Sequence, residues 1–270
     1  MHTDPSGDLA GGNFAYINGL KGSGAADSKG HNVVNLVNQD GKLYGPPGGI
    51  VQFGHEDGLN VNRTNLTCAG NNGCHGYRVG DGFGGSTGVK SLSGAHHGNV
   101  DGKLTTATTV ANSYRFLLGV KGGENPIDRW ENKDASSHNE YYGEAVPNIL
   151  NCSANGCHVN GYVQPPNHTI SGFCATCHGN FHTLKTSTSS GIGVAAASPF
   201  IRHPNDIVIK NSGEYAAYTS YNVNAPVGRQ ILPDAPSGAV TPGSDVVTCL
   251  SCHVAHAGNY PDMLRWDYTL

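Results

Sequence analysis

The most constraining feature of the chain is that each of its eight cysteines belongs to a pair, and that each pair ends in Cys-His. Two pairs have the spacing C-x-x-C-H, which is the attachment signature of c-type haem. In that chemistry two thiols bond to the edge of the porphyrin, and the adjacent imidazole ligates the iron. Cys174, Cys177 and His178 form one of these sites, and Cys249, Cys252 and His253 form the other.

The other two pairs keep the same order over a longer loop. Five residues separate Cys68 from Cys74, which precedes His75, and four separate Cys152 from Cys157, which precedes His158. A longer loop still carries both sulfurs to one porphyrin, and no cysteine is left over. The four sites predict four covalently bound haem c groups, with these proximal iron ligands: His75, His158, His178 and His253.

Three other roles for paired cysteines fit the pattern less well. A redox dithiol is expected in a βαβ setting, which the sequence does not indicate. Zinc ribbons need two cysteine pairs to complete four ligands, and they give no reason for a histidine after every second cysteine. A framework of four disulfides in a secreted protein leaves the same histidines unexplained. Haem attachment accounts for all of them.

Histidine is the abundant candidate for the second ligand of each iron. Four of the 14 histidines are proximal ligands, which leaves ten, whereas the chain has two methionines. Histidines remote from the cysteine pairs are able to approach from the opposite face, and we rank four of them first: His203, His97, His138 and His31. Three further candidates lie close to a ranked or proximal histidine: His182, His256 and His96.

Two of these further candidates follow a proximal histidine closely. His182 lies four residues after His178, and His256 lies three after His253. On a helical turn such residues share one face, so neither reaches the far side of its own haem. We expect them to ligate a neighbouring haem, to bond a propionate or to be exposed. Three histidines are expected at the surface: His2, His55 and His168.

An iron with imidazole on both faces has no open coordination site. It exchanges electrons, and its axial ligands, burial and hydrogen bonds set its potential. The histidine supply therefore predicts an electron carrier that is not an enzyme.

The composition favours a fold built around cofactors. Only 37% of residues are hydrophobic, and the chain contains 39 glycines and 14 prolines. Residues 105–120 are apolar enough for a strand or short helix, 207–209 predict a short strand, and each C-x-x-C-H segment predicts a short helix. We expect one domain over residues 1–270, mostly loops and turns with few short helices and minimal strand, wrapped around a row of four haems.

Covalent haem attachment and paired cysteines point outside the cytoplasm. The polar start Met-His-Thr-Asp-Pro is not a signal peptide, so we expect an export signal to have been removed. The chain has no run of 18 apolar residues, so no membrane span is expected, and its net charge of -4 argues against nucleic acid as a partner. N-x-Ser/Thr sequons at Asn62, Asn65 and Asn167 raise the question of glycosylation.

Several segments together resemble the tetrahaem extracellular cytochromes of the OmcE type. They are Leu-Thr-Cys-Ala-Gly…Gly-Cys-His-Gly at 66–76, Phe-Cys-Ala-Thr-Cys-His-Gly-Asn-Phe-His at 173–182, Ser-Pro-Phe-Ile-Arg-His-Pro at 198–204, Cys-Leu-Ser-Cys-His-Val-Ala-His at 249–256 and Asp-Met-Leu-Arg-Trp-Asp-Tyr at 262–268. The resemblance implies a filament at the cell surface that conducts electrons along an unbroken haem stack. It also implies that a distal histidine is lent by the neighbouring subunit.

A polymer is also expected on physical grounds that do not depend on the resemblance. A head-to-tail contact that repeats without closing makes an open filament. The tyrosine-rich segments 215–221 and 260–268 offer aromatic anchors for such a contact, or else pack against haem faces. Three functions stay open at this point: a filament-forming electron conduit that works with redox partner cytochromes, a soluble periplasmic shuttle, and a multihaem reductase with one open iron.

Overall fold

The structure is a computed structural model of the chain, and it describes residues 3, 5–33, 36, 46–47, 66–69, 73–75, 120–121, 132–144, 169–175, 177–178, 181, 195–197, 200–201, 203, 205–233 and 235–269. The regular elements in these ranges are short. The strands are β1 Thr67–Ala69, β2 Gly73–His75, β3 Val120–Lys121, β4 Glu140–Tyr142, β5 Ala195–Ala197, β6 Phe200–Ile201, β7 Ile207–Val208, β8 Gly228–Arg229 and β9 Val246–Val247. The α-helices are α1 Ile170–Ala175 and α2 Cys249–Cys252. Four 3-10 helices join them: Phe14–Tyr16, Asp27–Lys29, Gly213–Ala217 and Pro261–Met263.

The largest sheet has the strand order β3-β4-β8-β9-β7 and lies beside the second C-x-x-C-H segment. β4 and β8 are parallel, with Tyr141 opposite Gly228, and β8 and β9 are antiparallel, with Gly228 opposite Val246. Gly228 has no room for a side chain, since a Cβ there would lie 2.6 Å from Thr248 Cγ2. This close approach brings the residue that precedes α2 against the sheet.

The two helices dock against each other and against β4. The α1 helix begins after Thr169, whose hydroxyl accepts a hydrogen bond from the Gly172 amide (2.8 Å). Tyr141, Ile170 and Leu250 form a buried apolar cluster that joins β4, α1 and α2. Since both helices contain cysteines that are predicted to attach haem, this cluster fixes the two predicted sites relative to each other.

The N-terminal segment packs against the C-terminal one. The Asn13 amide donates to Ala257 O (2.8 Å), and the His31 amide donates to His256 O (3.0 Å). Gly12 has φ +91, and a Cβ on it would lie 2.2 Å from Ala257 O, so this approach requires glycine. The contact places His31 beside the segment that follows His253.

Among the residues described, the buried apolar side chains form three small clusters. Besides the cluster between the helices, one lies in the N-terminal segment around Phe14 and Ile17, and one lies around Tyr221 and Val227. Separate clusters of this size match the expectation of a chain that needs cofactors to complete its interior.

Several sequence-based expectations for secondary structure can be compared with the described residues. The short strand predicted at 207–209 is β7, paired antiparallel with β9. Of residues 105–120, only Val120 is described, and it begins β3; the rest of that prediction lies outside the described residues. Over the described ranges, none of the helices combines the length and the apolarity that crossing a membrane requires. The single domain over 1–270 stays a prediction.

Candidate functional site

The two C-x-x-C-H segments adopt the same hydrogen-bonded turn. The His178 amide donates to Cys174 O at 3.0 Å, and the His253 amide donates to Cys249 O at 3.0 Å. In each case the first cysteine and the histidine are therefore joined by an i→i+4 bond. The predicted helices are confirmed, with one difference: α1 precedes its motif and ends inside it, whereas α2 starts at Cys249.

Because α2 is only four residues long, side-chain hydrogen bonds are needed to stabilise its first turn. Ser251 Oγ accepts from the Thr248 amide (2.9 Å), and Ser251 N donates to Thr248 O (3.0 Å). The Cys249 amide donates to Ser171 Oγ on α1 (3.1 Å). Because Ser171 of α1 accepts a hydrogen bond from the first amide of α2, the two turns are held together.

The thiols of the two turns lie close together. Cys249 is hydrogen-bonded to Cys174, and this bond lowers the pKa of Cys249 even though burial opposes the shift. Asn205 Nδ2 donates to Phe181 O (3.3 Å) and lies 3.7 Å from Cys249 Sγ. The first cysteines of two predicted haem sites are thus adjacent, and a lowered thiol pKa favours the reactive thiolate.

Three imidazoles at this location are oriented by backbone carbonyls. Nδ1 of His178 lies 2.6 Å from Pro47 O, Nδ1 of His253 lies 2.7 Å from Asp262 O, and Nδ1 of His31 lies 2.8 Å from Ala255 O. With Nδ1 bonded to a carbonyl, Nε2 is the nitrogen left for a metal, which is the usual arrangement of metal-bound histidine.

The neutral form of these imidazoles is favoured by their surroundings. Burial and the neighbouring His178 lower the pKa of His31 to about 4. Burial is also the main reason that the pKa values of His178 and His253 lie below the usual range. Neutral imidazole is the state that binds metal.

Each of the two proximal histidines has another histidine beside it. The ring centres of His31 and His178 are 6.1 Å apart, and those of His203 and His253 are 5.7 Å apart. Two imidazoles that share one metal have ring centres roughly 6 Å apart, because each metal–nitrogen bond is about 2 Å and each nitrogen lies about 1 Å from its ring centre. Aromatic rings that pack together without a metal have similar centre-to-centre distances. The spin state of iron in the holoprotein distinguishes ligation by both rings from packing alone.

Phe181 lies between the two histidine pairs. Its ring centre is 6.3 Å from that of His178 and 5.9 Å from that of His203, with interplanar angles of 26° and 16°. The ring therefore joins the proximal histidine of one site to the neighbour of the other. Sequence reasoning gave Phe181 no role, because phenylalanine has no ligand chemistry.

The first stretched pair is described by its backbone. β1 and β2 run parallel with Thr67 opposite Gly73 and Ala69 opposite His75, which puts Cys68 and Cys74 at the same level of the ladder. The Cys68 side chain is exposed. The backbone register thus places the two cysteines opposite each other on neighbouring parallel strands.

His138, a ranked distal candidate, lies in a buried polar network. Its Nδ1 is 3.1 Å from Asp134 O and its Nε2 is 3.0 Å from Glu140 Oε1, and its ring stacks on Tyr221 at 3.7 Å. Both ring nitrogens are hydrogen-bonded, which favours a structural role. Ligation of iron by His138 stays a prediction without support from this geometry.

Glu140 is the centre of that network. Arg229 Nε donates to Glu140 Oε2 (3.0 Å), the Ser237 amide donates to Oε1 (2.7 Å), and Arg229 Nη1 also donates to Asp245. Burial raises the pKa of Glu140, but the hydrogen bonds from His138 and Ser237 and the charge of Arg229 outweigh it and bring the pKa below its usual range.

His256 packs in the N-terminal segment. Its ring is 5.5 Å from that of Phe14, and a Cβ on Gly11 would lie 2.8 Å from the ring. The expectation that His253 and His256 share a helical face is wrong, because α2 ends at Cys252 and His253 is extended (φ -115, ψ 156). Whether His256 ligates a neighbouring haem is not tested by this packing.

The remaining predicted site residues lie outside the described part of the chain, or only their backbone is described. The first group is Cys152, Cys157, His158, His97, His96 and His182, together with the expected surface histidines His2, His55 and His168. The second is Cys74 and His75. Among the described residues no group of three or more His, Cys, Asp or Glu side chains is gathered to hold a metal ion. A haem iron takes two protein ligands, so the histidine pairs do not form such a group.

No family model matches the chain, and no curated protein matches it. The cryo-EM structure of the OmcS nanowires from Geobacter sulfurreducens is similar to the chain, with 18% identity and a TM-score of 0.41, over 97% of this chain and 67% of that one. At this TM-score the similarity carries no argument about fold or function. The resemblance to OmcE-type cytochromes stays a prediction.

Proposed function

We propose that the chain is a multihaem c-type cytochrome that transfers electrons and has no substrate-binding iron. The observation that carries the proposal is the pairing of each described C-x-x-C-H histidine with a second histidine, at ring-centre distances of 6.1 and 5.7 Å. Two thiols and a proximal imidazole on a shared turn, opposite a second imidazole, are the protein groups that a six-coordinate haem c needs.

The donor sets follow from the contacts. Cys174 and Cys177 would hold one haem, with His178 and His31 on its iron, and Cys249 and Cys252 would hold the next, with His253 and His203 on its iron. The carbonyl bonds to Nδ1 leave Nε2 of His31, His178 and His253 for this purpose. Such a haem supplies one-electron exchange between Fe(III) and Fe(II).

The protein's contribution is to hold these two sites close together. The hydrogen bond from Cys249 to Ser171, the Cys249–Cys174 contact and the Phe181 ring all connect one site to the other. Adjacent sites favour rapid passage of electrons from one to the next. We propose that the two stretched pairs hold two further haems and extend the row to four.

Removal of the second histidine tests this assignment. His31→Ala and His203→Ala should each convert one haem iron from low spin to high spin, measured by electron paramagnetic resonance and absorption of the purified holoprotein. His168→Ala is the matched control, because the sequence gives that histidine no role in binding iron. Low-spin iron throughout in both His31→Ala and His203→Ala would contradict the ligand pairs.

We further propose that the protein works outside the cell as a head-to-tail filament, with a neighbouring subunit supplying a distal histidine and redox partner cytochromes supplying electrons. Exposed aromatic side chains support a contact between subunits: Tyr215 is 53% exposed, Tyr268 52% and Trp266 36%. Tyr221, which the sequence grouped with these anchors, is buried and is not available.

Electron microscopy of the purified holoprotein tests the filament. We expect ordered filaments from the native chain and shorter or no filaments from the double variant Trp266→Ser, Tyr268→Ser, whereas Leu20→Ser, at another exposed apolar side chain, should assemble normally. Discrete particles from the native chain would favour the alternative, a soluble electron shuttle. High-spin iron in the native chain would favour the reductase.

A further inference from the structure

Arg265 is a half-buried cation next to the second C-x-x-C-H turn. Its backbone amide donates to Cys252 O (2.9 Å), and its Nε donates to Leu250 O (2.7 Å). Both acceptors belong to α2, so the guanidinium is fixed against the segment that holds the predicted haem. Nη1 makes a longer contact with Val223 O (3.4 Å).

Among the described residues, no carboxylate forms an ion pair with this guanidinium. The ion pairs found in the described part of the chain do not include Arg265, whereas Arg229 pairs with Glu140 and Asp245. Nη2 of Arg265 is buried without a hydrogen-bond partner. Burial lowers the pKa of Arg265, but arginine keeps its charge in proteins, so a full positive charge stays in a poorly solvated place.

A buried charge acts strongly on a redox centre beside it. Oxidised haem iron carries one more positive charge than reduced iron, so a cation nearby disfavours the oxidised state. Solvent and salt screen this effect at the surface but much less in the interior. A thioether at Cys252 would have no charge to offset it.

We propose that Arg265 sets the reduction potential of the haem at Cys249 and Cys252, raising it through its positive charge. The inference rests on the proposed haem attachment there. Arg265 hydrogen-bonds to Cys252 O and Leu250 O of the α2 turn and, within the described part of the chain, to no predicted iron ligand, so it is a tuning residue. The charge is responsible rather than the shape of the side chain.

Three variants separate charge from shape. Arg265→Met removes the charge and fills the space with an apolar side chain, which a buried site tolerates well. Arg265→Gln is a second neutral variant, and Arg265→Lys keeps the charge. Lys210→Met removes an exposed charge, which solvent screens, and is the control.

The readout is a spectroscopic redox titration of the holoproteins. Both neutral variants should lower the reduced-to-oxidised ratio of one haem at a fixed potential by about tenfold or more, which is about 59 mV for a one-electron couple. Arg265→Lys and Lys210→Met should change it by less than about threefold. Unchanged potentials in the neutral variants, or equal shifts in Arg265→Met and Arg265→Lys, would overturn the proposal.

A separate experiment, carried out before the redox titration, tests whether haem is attached at this site. Proteolysis of the native protein should release a haem-bearing peptide that contains Cys249 and Cys252. A colourless peptide would refute the proposed function at this site, whereas a haem-bearing peptide with potentials insensitive to Arg265 would refute only the tuning role.

Discussion

At the scale of single residues, backbone carbonyls decide which imidazole nitrogen is available. His31, His178 and His253 each have Nδ1 within 2.8 Å of a carbonyl oxygen. Such a bond fixes the ring orientation and raises the basicity of the other nitrogen. The chain thus prepares Nε2 on three rings that lie in one cluster.

Asp206 is a second residue whose environment changes a measurable property, the pKa of its carboxyl group. Its carboxyl is 1% exposed, and burial raises its pKa to about 7 although hydrogen bonds from Ser171 and Thr169 oppose the shift. Its backbone has φ 51, a conformation that asparagine also adopts readily.

Asp206 should make the folded protein less stable as pH rises. Between its unfolded pKa of 3.8 and its folded pKa of about 7, the folded state retains a proton that the unfolded state has lost. The free energy of unfolding therefore falls across this window, by up to about 1.4 kcal/mol per pH unit. Denaturant unfolding of the holoprotein at pH 4 to 7 measures the slope, and Asp206→Asn should remove this part of it.

Asp262→Asn is the matched control for that experiment. Asp262 is exposed and has φ 57, so the substitution removes a carboxyl from a similar backbone conformation at the surface. The slope should stay as in the native protein. A native slope that survives in Asp206→Asn would show that the buried carboxyl does not titrate in this range.

At the scale of elements, a buried ionic network joins β4 to β8 and to the loop before β9. Glu140 is buried and accepts hydrogen bonds from Arg229, His138 and Ser237. Glu140→Gln should lower the free energy of unfolding by about 3 kcal/mol or more, since it leaves buried groups without their charged partner.

Chemical denaturation at pH 7 tests this prediction. Glu144→Gln serves as the control, because Glu144 makes one long contact with Tyr142 (3.4 Å) at a less buried place. Its loss should cost less than about 1 kcal/mol. Equal effects of the two substitutions would mean that the network adds no stability to the sheet.

The contact between the N-terminal segment and the C-terminal loop depends on Gly12. Gly12→Ala forces a Cβ to within 2.2 Å of Ala257 O at φ +91, so we expect a loss of about 2 kcal/mol or more and weaker positioning of His31. Gly24 also has positive φ (+102) but has nothing within 4 Å, and Gly24→Ala should cost about 1 kcal/mol. Thermal unfolding compares the two, and equal losses would contradict the steric explanation.

Sequence reasoning identified the elements that carry their own chemical signal. The C-x-x-C-H turns were predictable because cysteine spacing and the following histidine define them, and β7 followed from three adjacent β-branched residues. The carbonyl partners of the imidazoles, the Phe181 contacts and the placement of Arg265 against α2 were not predictable, since each depends on segments distant in sequence. His138 shows what the sequence could not decide. A histidine remote from the cysteine pairs gives the same sequence pattern whether it ligates iron or hydrogen-bonds to a carboxylate.

At the scale of the whole molecule, the described interior is divided into small apolar clusters around the cysteine turns. Phe14, Ile17 and Val33 form one, Tyr141, Ile170 and Leu250 another, and Tyr221 and Val227 belong to the third. Haem groups attached between them would supply the missing apolar surface. Folding should then be coupled to cofactor attachment, as it is in small metal-binding domains.

Intact-mass spectrometry of the denatured, coloured holoprotein tests covalent haem attachment most directly. Thioether bonds survive denaturation, so the protein should carry four haem adducts, one for each Cys-His doublet. A mass with fewer than four adducts, or a colourless product from cells able to attach haem c, would contradict a tetrahaem cytochrome.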